Sequence, residues 1–342
     1  MKKLLRNILI GALLIALLPV SGCRRRSSVI KEDAPGMGNI VGSTDNPLSA
    51  DTIISPVLGD NGQSYTYRAA LYFPYLDEPV LGREEREITF PSNVRVELAV
   101  LNELIQKGPG AGYTDLSAVI NPDTRVVDIS LVQGNLTVLL SQEFLLPHDN
   151  IRKVSAEWKD NATEAQLVLS DRRSAVYSIV NTLTEIGTAT RVQIYVDIND
   201  DGVADPINRA EIGLPESESG ETRLDALARQ YDVVSTVSGT VNILFSCFNN
   251  KNYERLYKYI ANIDGDLKPP LSEWEKVFGS GDWKLDNSSV RGSVIAHNGK
   301  TALTYVNMTY QNRELLDYPV RMVLDGGVWK ISYQSLLSLL PQ

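Results

Sequence analysis

Between residues 67 and 196 the apolar positions switch between a two-residue and a helical rhythm, and the order of those switches predicts a mixed domain. Tyr67-Arg68-Ala69-Ala70-Leu71-Tyr72-Phe73 is an apolar, aromatic run that stops at Pro74, as a buried strand does, and Glu84 to Phe90 supplies a second strand before Pro91. Ser92 or Asn93 then caps a helix in which Val94, Leu98, Leu101 and Ile105 recur at helical spacing, with Gly108-Pro109 as its stop. Val126 to Leu131 and Leu136 to Leu140 flank Gln133-Gly134-Asn135, the spacing of a hairpin. Thr163-x-x-Gln166 has the form of a capping box and opens a longer helix lined by Val176, Ile179, Val180, Leu183 and Ile186, with Gly187 closing it. Arg191 to Val196 alternates into a last strand. The order β-β-α-β-β-α-β defines an α+β class.

Beyond Thr222 the rhythm is helical first and period-two afterwards. Leu224 to Tyr231 and Val237 to Phe248 read as helices, and Tyr253, Leu256, Tyr257 and Ile260 continue at helical spacing past Asn249-Asn250. Val290 to His297, Thr301 to Tyr310 and Tyr318 to Leu324 read as strands, the first two joined at Asn298-Gly299, and Gly326-Gly327 precedes a short strand Val328-Trp329-Lys330-Ile331.

The amino terminus has a different character. Lys2, Lys3 and Arg6 form a basic n-region, and the apolar run Ile8 to Val20 has the length of a signal-peptide core rather than of a membrane span. It ends in Val20-Ser21-Gly22-Cys23, which resembles a bacterial lipobox, so Cys23 is expected to carry the lipid (palmitate-type acylation included) and to become the first mature residue. Arg24, Arg25 and Arg26 follow, and a basic cluster beside a lipid adds attraction to anionic headgroups. From Arg24 to about Ser64 the chain is rich in Gly, Ser, Asp and Pro without a period, which reads as a flexible tether. The expected organisation is a signal peptide over 1–22, a tether over 23–64, a first domain over 65–212, a linker over 213–221 carrying Glu216, Glu218 and Glu221, and a second domain over 222–342.

The first domain resembles a known family. The strand Ala70-Leu71-Tyr72-Phe73, the charged stretch Arg83 to Glu87, the helix end Leu104-Ile105-Gln106-Lys107-Gly108-Pro109, the strand Leu136 to Ser141 followed by Phe144, the helix segment Tyr177 to Thr184 and the strand Val192 to Val196 together resemble the GerMN domain of sporulation and spore-germination lipoproteins. That resemblance implies a role around the septum or cortex, on the extracytoplasmic face of the cell membrane, with other envelope or sporulation proteins as partners. The last third, helices followed by an antiparallel sheet ending Asp325-Gly326-Gly327-Val328-Trp329-Lys330-Ile331, resembles the cone-shaped nuclear-transport-factor-2-like fold, which hosts many functions and so implies little about activity.

Composition narrows the partners. The 342-residue chain carries a net charge of −9, which argues against nucleic acid. With Cys23 lipidated, Cys247 has no partner for an intramolecular disulfide and reads as a small buried hydrophobe. The sharpest local motif is Asp197-Ile198-Asn199-Asp200-Asp201-Gly202-Val203-Ala204-Asp205. Its Asp197, Asn199, Asp201 and Asp205 oxygens, with the Val203 carbonyl and a turn at Gly202, match a calcium loop, although Asn208 stands where a bidentate Glu belongs and Glu211 is the nearby residue able to replace it. The same residues also read as a tight turn with solvated acidic neighbours.

Nothing in the sequence assembles a catalytic set. His148 and His297 fall in loops without a triad, and no phosphate loop, zinc spacing or nucleophile elbow occurs, so the chain is expected to bind or scaffold rather than catalyse. A wall hydrolase has no residues to carry it. Tyr253, Tyr257, Tyr259, Trp274 and Trp283 read as core, with a ligand pocket or partner surface as the other option. That option defines an alternative function, binding of a small ligand or cell-wall glycan through the carboxy-terminal domain.

Overall fold

A computed structural model of the chain describes residues 40–42, 62–147, 154–155, 157–278, 285–310 and 313–340. The lipobox with Cys23, together with His148, Trp283 and the carboxy-terminal residue Gln342, lies outside the described residues. Among the described residues no helix is long and apolar enough to cross a membrane.

The first sheet has the order β1-β2-β3, built from β1 (Ile40–Gly42), β2 (Ser64–Pro74) and β3 (Leu81–Pro91). The expected tether thus includes a short strand, and Ile40–Gly42 pairs antiparallel with Tyr65 to Tyr67. β2 reads as a continuous apolar run because both of its faces are covered. Tyr67, Ala69, Leu71 and Phe73 enter the main core, while Ala70 and Tyr72 form a second small cluster with Leu81. α1 (Val96–Lys107) follows. Its buried positions are Val96, Glu97, Val100, Leu101, Leu104 and Ile105, so the inward face is rotated from the expected one and Leu98 is only half-buried. Arg95, not Ser92 or Asn93, precedes the first turn.

The second sheet contains β4 (Val126–Val132), β5 (Asn135–Ser141), β6 (Arg191–Asp197) and β7 (Asp205–Pro206), with β8 (Leu227–Ala228) also on β6. β4 and β5 form the expected hairpin, and its two-residue turn has φ +49 at Gln133 and +77 at Gly134, the mirror-image turn that matches strand twist. β5 and β6 are parallel, so the chain must cross over between them, and α2 (Ala162–Glu185) makes the crossover. Its cap is Asn161, whose side chain accepts from the amides of Thr163 and Glu164; the helix therefore starts ahead of the Thr163 to which the capping-box pattern points.

Leu224 to Tyr231 is not a helix. Leu227 and Ala228 pair with Val192 and Arg191, the Leu224 amide bonds to the Ile207 carbonyl, and Gln193 donates to the Leu224 carbonyl, so this segment runs along the open edge of β6. An unpaired strand edge offers a full row of hydrogen bonds, which outcompetes the helical pattern of so short a stretch. The expected linker lies in the excursion before it, with Glu216, Glu218 and Glu221 exposed.

The remaining elements are α3 (Val237–Asn249), α4 (Tyr253–Lys258), α5 (Leu271–Phe278), a meander of β9 (Asn287–Ile295), β10 (Thr301–Tyr310), β11 (Arg313–Asp325) and β12 (Val328–Ile331), and α6 (Tyr333–Leu339). The sheet order β12-β11-β10-β9 is fully antiparallel. The described residues from 40 onward belong to one compact unit, and one apolar cluster runs through it from Tyr67 to Leu340.

Candidate functional site

The structurally distinctive side chains lie where α2, the β2–β3 hairpin and the carboxy-terminal elements meet. α2 is apolar at Val176, Ile179, Val180 and Leu183, but Ser178, Asn181, Thr182 and Glu185 are buried too, a polar stripe at helical spacing beside the apolar one. Among the described residues β2 has no strand partner beyond Tyr67 on its β1 side, and the stripe covers that edge: Thr182 accepts from the Tyr72 amide at 3.0 Å. Asn181 accepts from the Gln230 amide at 3.0 Å, which ties the segment after β8 to the helix. Glu185 is ion-paired to Arg229, lies 3.8 Å from the Arg83 guanidinium and accepts from the Tyr72 hydroxyl at 3.3 Å. Burial pushes the Glu185 carboxyl up against the pull of Arg229 and Arg83. Burial, with Glu185 beside it, likewise raises the Tyr72 hydroxyl. Glu185 Oε1, Arg83 Nε and Arg229 Nε are buried without a hydrogen-bond partner, so the seam is ionic but only partly satisfied.

A second polar knot fixes α1. Glu84, 3% exposed, accepts from the Gly110 amide at 2.9 Å and from Arg86 Nε at 2.8 Å, and Arg86 also donates to the Gly108 carbonyl at 2.6 Å. Gly108 has φ +57, so the helix ends in a conformation suited to glycine, and Arg86 clamps that end onto β3. The charged stretch Arg83 to Glu87 is therefore structural in part.

The hairpin tip enters the carboxy-terminal elements. Tyr75 is fully buried, packs against Tyr259 at a ring separation of 5.4 Å and donates to the Lys258 carbonyl. Glu78 is ion-paired to Arg255 at 2.6 Å and to Lys258 at 3.7 Å and accepts from the Tyr259 hydroxyl at 3.2 Å. On the other flank Lys330, 4% exposed, reaches Asp115 at 3.0 Å and Asp325 at 3.2 Å. Backbone bonds complete the junction: Arg83 donates to the Gly327 carbonyl at 2.8 Å and Ser235 to the Leu81 carbonyl at 2.9 Å.

Beside this junction a cleft of about 530 Å³ opens between the hairpin tip and α2. Leu76, Pro79 and Val80 form one wall; Ser170, Ser174 and Tyr177 form the other, with Ser117 and Val119 at its end. Leu76 has φ +48 and is 40% exposed, a strained turn residue presented to the opening.

The residues singled out in the sequence sit elsewhere. Asp197 is 3% exposed at the end of β6, and its carboxylate accepts from the amides of Asp201 at 3.0 Å and Gly202 at 2.9 Å. Asp201 accepts from the Val203 amide, Asp205 is in β7, and Glu211 accepts from the Asn208 amide at 2.6 Å. Gly202 has φ +78, the sharp turn the motif requires. Asn199 and Val203 are exposed. The loop is closed by its own amide bonds, and among the described residues no group of three or more His, Cys, Asp or Glu side chains is placed to hold a metal ion.

His297 is exposed in the turn after β9, and Cys247 is buried in α3 with its thiol pushed up to about 11 by burial. Of the described aromatic residues, Trp274 and Tyr259 are core while Tyr253 and Tyr257 are half-buried: Trp274 stacks on Phe278 at 3.7 Å and donates to the Tyr253 carbonyl, and Tyr257 donates to the Pro269 carbonyl. Sequence reading misses the seam and the junction. Their signals are present as polar residues at helical spacing within α2 and as the charged residues of the hairpin tip, but neither has a recognisable spacing motif.

The fold is α+β, with a crossover helix over a mixed sheet and a separate antiparallel meander. Residues 70–197 match the family described as "Germane: Sporulation and spore germination", so the chain carries a GerMN-type domain over that segment. Among solved structures it is similar to the tandem GerMN domains of the sporulation protein GerM from Bacillus subtilis, at 17% identity over 53% of this chain and 51% of that one, with a TM-score of 0.31. The first GerMN domain of the same protein is similar at 19% identity over 47% of this chain and 97% of that one, TM-score 0.26. A putative lipoprotein from Clostridium perfringens is similar at 20% identity over 41% of this chain and 80% of that one, TM-score 0.22. The chain thus spans about half the length of the tandem-domain structure. No curated protein matches it.

Proposed function

We propose that this protein is a lipid-anchored module on the extracytoplasmic face of a bacterial membrane and that it acts in sporulation or spore germination by binding other envelope proteins, without catalysis. The observation that carries the reading is the match of residues 70–197 to a sporulation and spore-germination family. The basic n-region, the apolar run and Val20-Ser21-Gly22-Cys23 support export and acylation at Cys23. The carboxy-terminal helices and meander, joined to the first segment by the Tyr75–Tyr259 and Glu78–Arg255 contacts, would be presented as one surface with it.

A deletion strain complemented with wild-type protein or with Cys23→Ala tests the reading, scored by heat-resistant spores, by germination and by crosslinked partners recovered from membranes. Envelope proteins should crosslink to the wild type and be lost with Cys23→Ala. A deletion strain that sporulates and germinates normally would overturn it.

A further inference from the structure

Resting on the binding reading above, we infer that the cleft between the β2–β3 tip and α2 takes a neutral oligosaccharide. Its volume, about 530 Å³, lies within the range of small-ligand sites, and it opens beside the junction of two segments, where such sites concentrate. The lining is two-sided. Ser170, Ser174 and Tyr177 stand one above another on α2, four and three residues apart, and their hydroxyls make no hydrogen bond with the described residues. Leu76, Pro79 and Val80 face them with apolar surface.

The acidic groups at the rim are already engaged, and Arg173 is tied to a backbone carbonyl. Glu78 serves Arg255, Lys258 and Tyr259; Asp77 pairs with Lys258 at 2.6 Å; Arg173 donates to the Gly213 carbonyl; and Asp171 also has a partner. Along the α2 wall the hydroxyls of Ser170, Ser174 and Tyr177 are left over, each able to donate and accept, with Arg173 beside them held to the Gly213 carbonyl. A ligand that matches them is rich in hydroxyls and carries no charge, with an apolar face for the opposite wall. A pyranose ring has this form, with hydroxyls around its edge and C–H groups on its faces. A lipid chain would leave the hydroxyl stripe unpaired. Both walls are held in place, one by the polar seam of α2 and the other by the buried junction, so little ordering is needed on binding.

The test is calorimetric titration of the full-length protein in detergent with two neutral probes, the tetramer of N-acetylglucosamine and cellotetraose, and with a free alanine-containing stem peptide. At least one tetramer should bind the wild type, and the triple variant Ser170→Ala, Ser174→Ala, Tyr177→Phe, which removes only hydroxyls, should weaken it at least ten-fold at an unchanged melting temperature. Ser174→Leu, which fills the cleft, should abolish it. Absence of tetramer binding, binding that survives both variants, or binding of the stem peptide alone would each overturn the inference. Crosslinking to envelope partners is scored in parallel: partners without saccharide leave the binding reading standing and this inference refuted, and loss of both refutes the two together.

Discussion

Lys268 is half-buried, with its ammonium 3.8 Å from the centre of the Tyr257 ring, and burial, helped by Lys330, pushes its pKa down to about 8. The unfolded chain therefore holds this proton more tightly than the folded one between about pH 8 and the ordinary lysine value of about 10.4, and stability from this group rises with pH across that window. Lys268→Met should raise the melting temperature at pH 7, by roughly 1 kcal/mol of stability after solvent screening, and the gain over wild type should shrink as the pH is raised through 8 towards 10. A gain that is constant with pH would show that packing, not charge, is responsible. At Glu185 burial also disfavours the charged form, but this carboxylate lies between Arg83 and Arg229. Glu185→Leu removes their shared counter-charge and should cost about 3–5 kcal/mol in urea unfolding. Neither group is legible in the sequence. A periodicity reading scores apolar positions, so it counts the polar stripe of α2 as an exposed flank, and the environment of Lys268 includes Lys330, Asp115 and Asp325, all more than fifty positions away.

Elements are easier to read than residues wherever a repeat is long. β2, β3, β5, β6 and the meander strands follow from alternation or apolar runs bounded by Pro, Gly or Asn, and the Gln133-Gly134 turn is dictated by its positive φ angles. The reading fails where a partner distant in sequence decides the matter: β8 is a strand only because β6 has a free edge, and α1 begins at Val96 because its inward face is set by the sheet. α5 and α6 are short, at 8 and 7 residues, and carry too few turns for a period to show. The clamp at the end of α1 gives a test at this scale. Arg86→Ala frees the Gly108 carbonyl and leaves buried Glu84 with one partner fewer, and should lower stability by about 2–4 kcal/mol. Hydrogen exchange should quicken in the last turn of α1 before it does in α2. Gly327 sits at φ +83 with space for no side chain, since a Cβ would come within 2.7 Å of the Arg83 carbonyl. Gly327→Ala should therefore loosen the docking of the β11–β12 turn on β3 and cost about 1–3 kcal/mol.

At the scale of the molecule, the sequence divides at a composition change near residue 213, while the apolar cluster and the buried pairs cross that division. Composition marks where a chain is exposed, and residues 218–223 are exposed; it carries no information about what the hairpin tip touches more than a hundred positions later. Because Tyr75, Glu78 and Lys330 are all buried at the crossing, the described body should melt in one transition, with the α2 and β10 amides losing protection together. Glu78→Ala leaves Arg255 and Lys258 without their buried partner and should divide that transition into two, resolved by calorimetry. A single transition retained in this variant would mean that the Glu78 pairs are not needed to hold the junction, which the apolar packing, the Lys330 pairs and the backbone bonds then hold without them.

The pairing of β2 with β3 has a mechanical consequence. The 11 residues of β2 are matched without a break by those of β3, from Ser64 opposite Pro91 to Pro74 opposite Leu81. A pull from the amino-terminal side first meets β1, paired with Tyr65 to Tyr67; once it acts along β2 it runs at right angles to the β2–β3 hydrogen bonds and loads that ladder in shear rather than peeling it bond by bond. The far end of the ladder is wedged by Tyr75 among the carboxy-terminal elements. Such a hairpin resists pulling along its length as a dowel does.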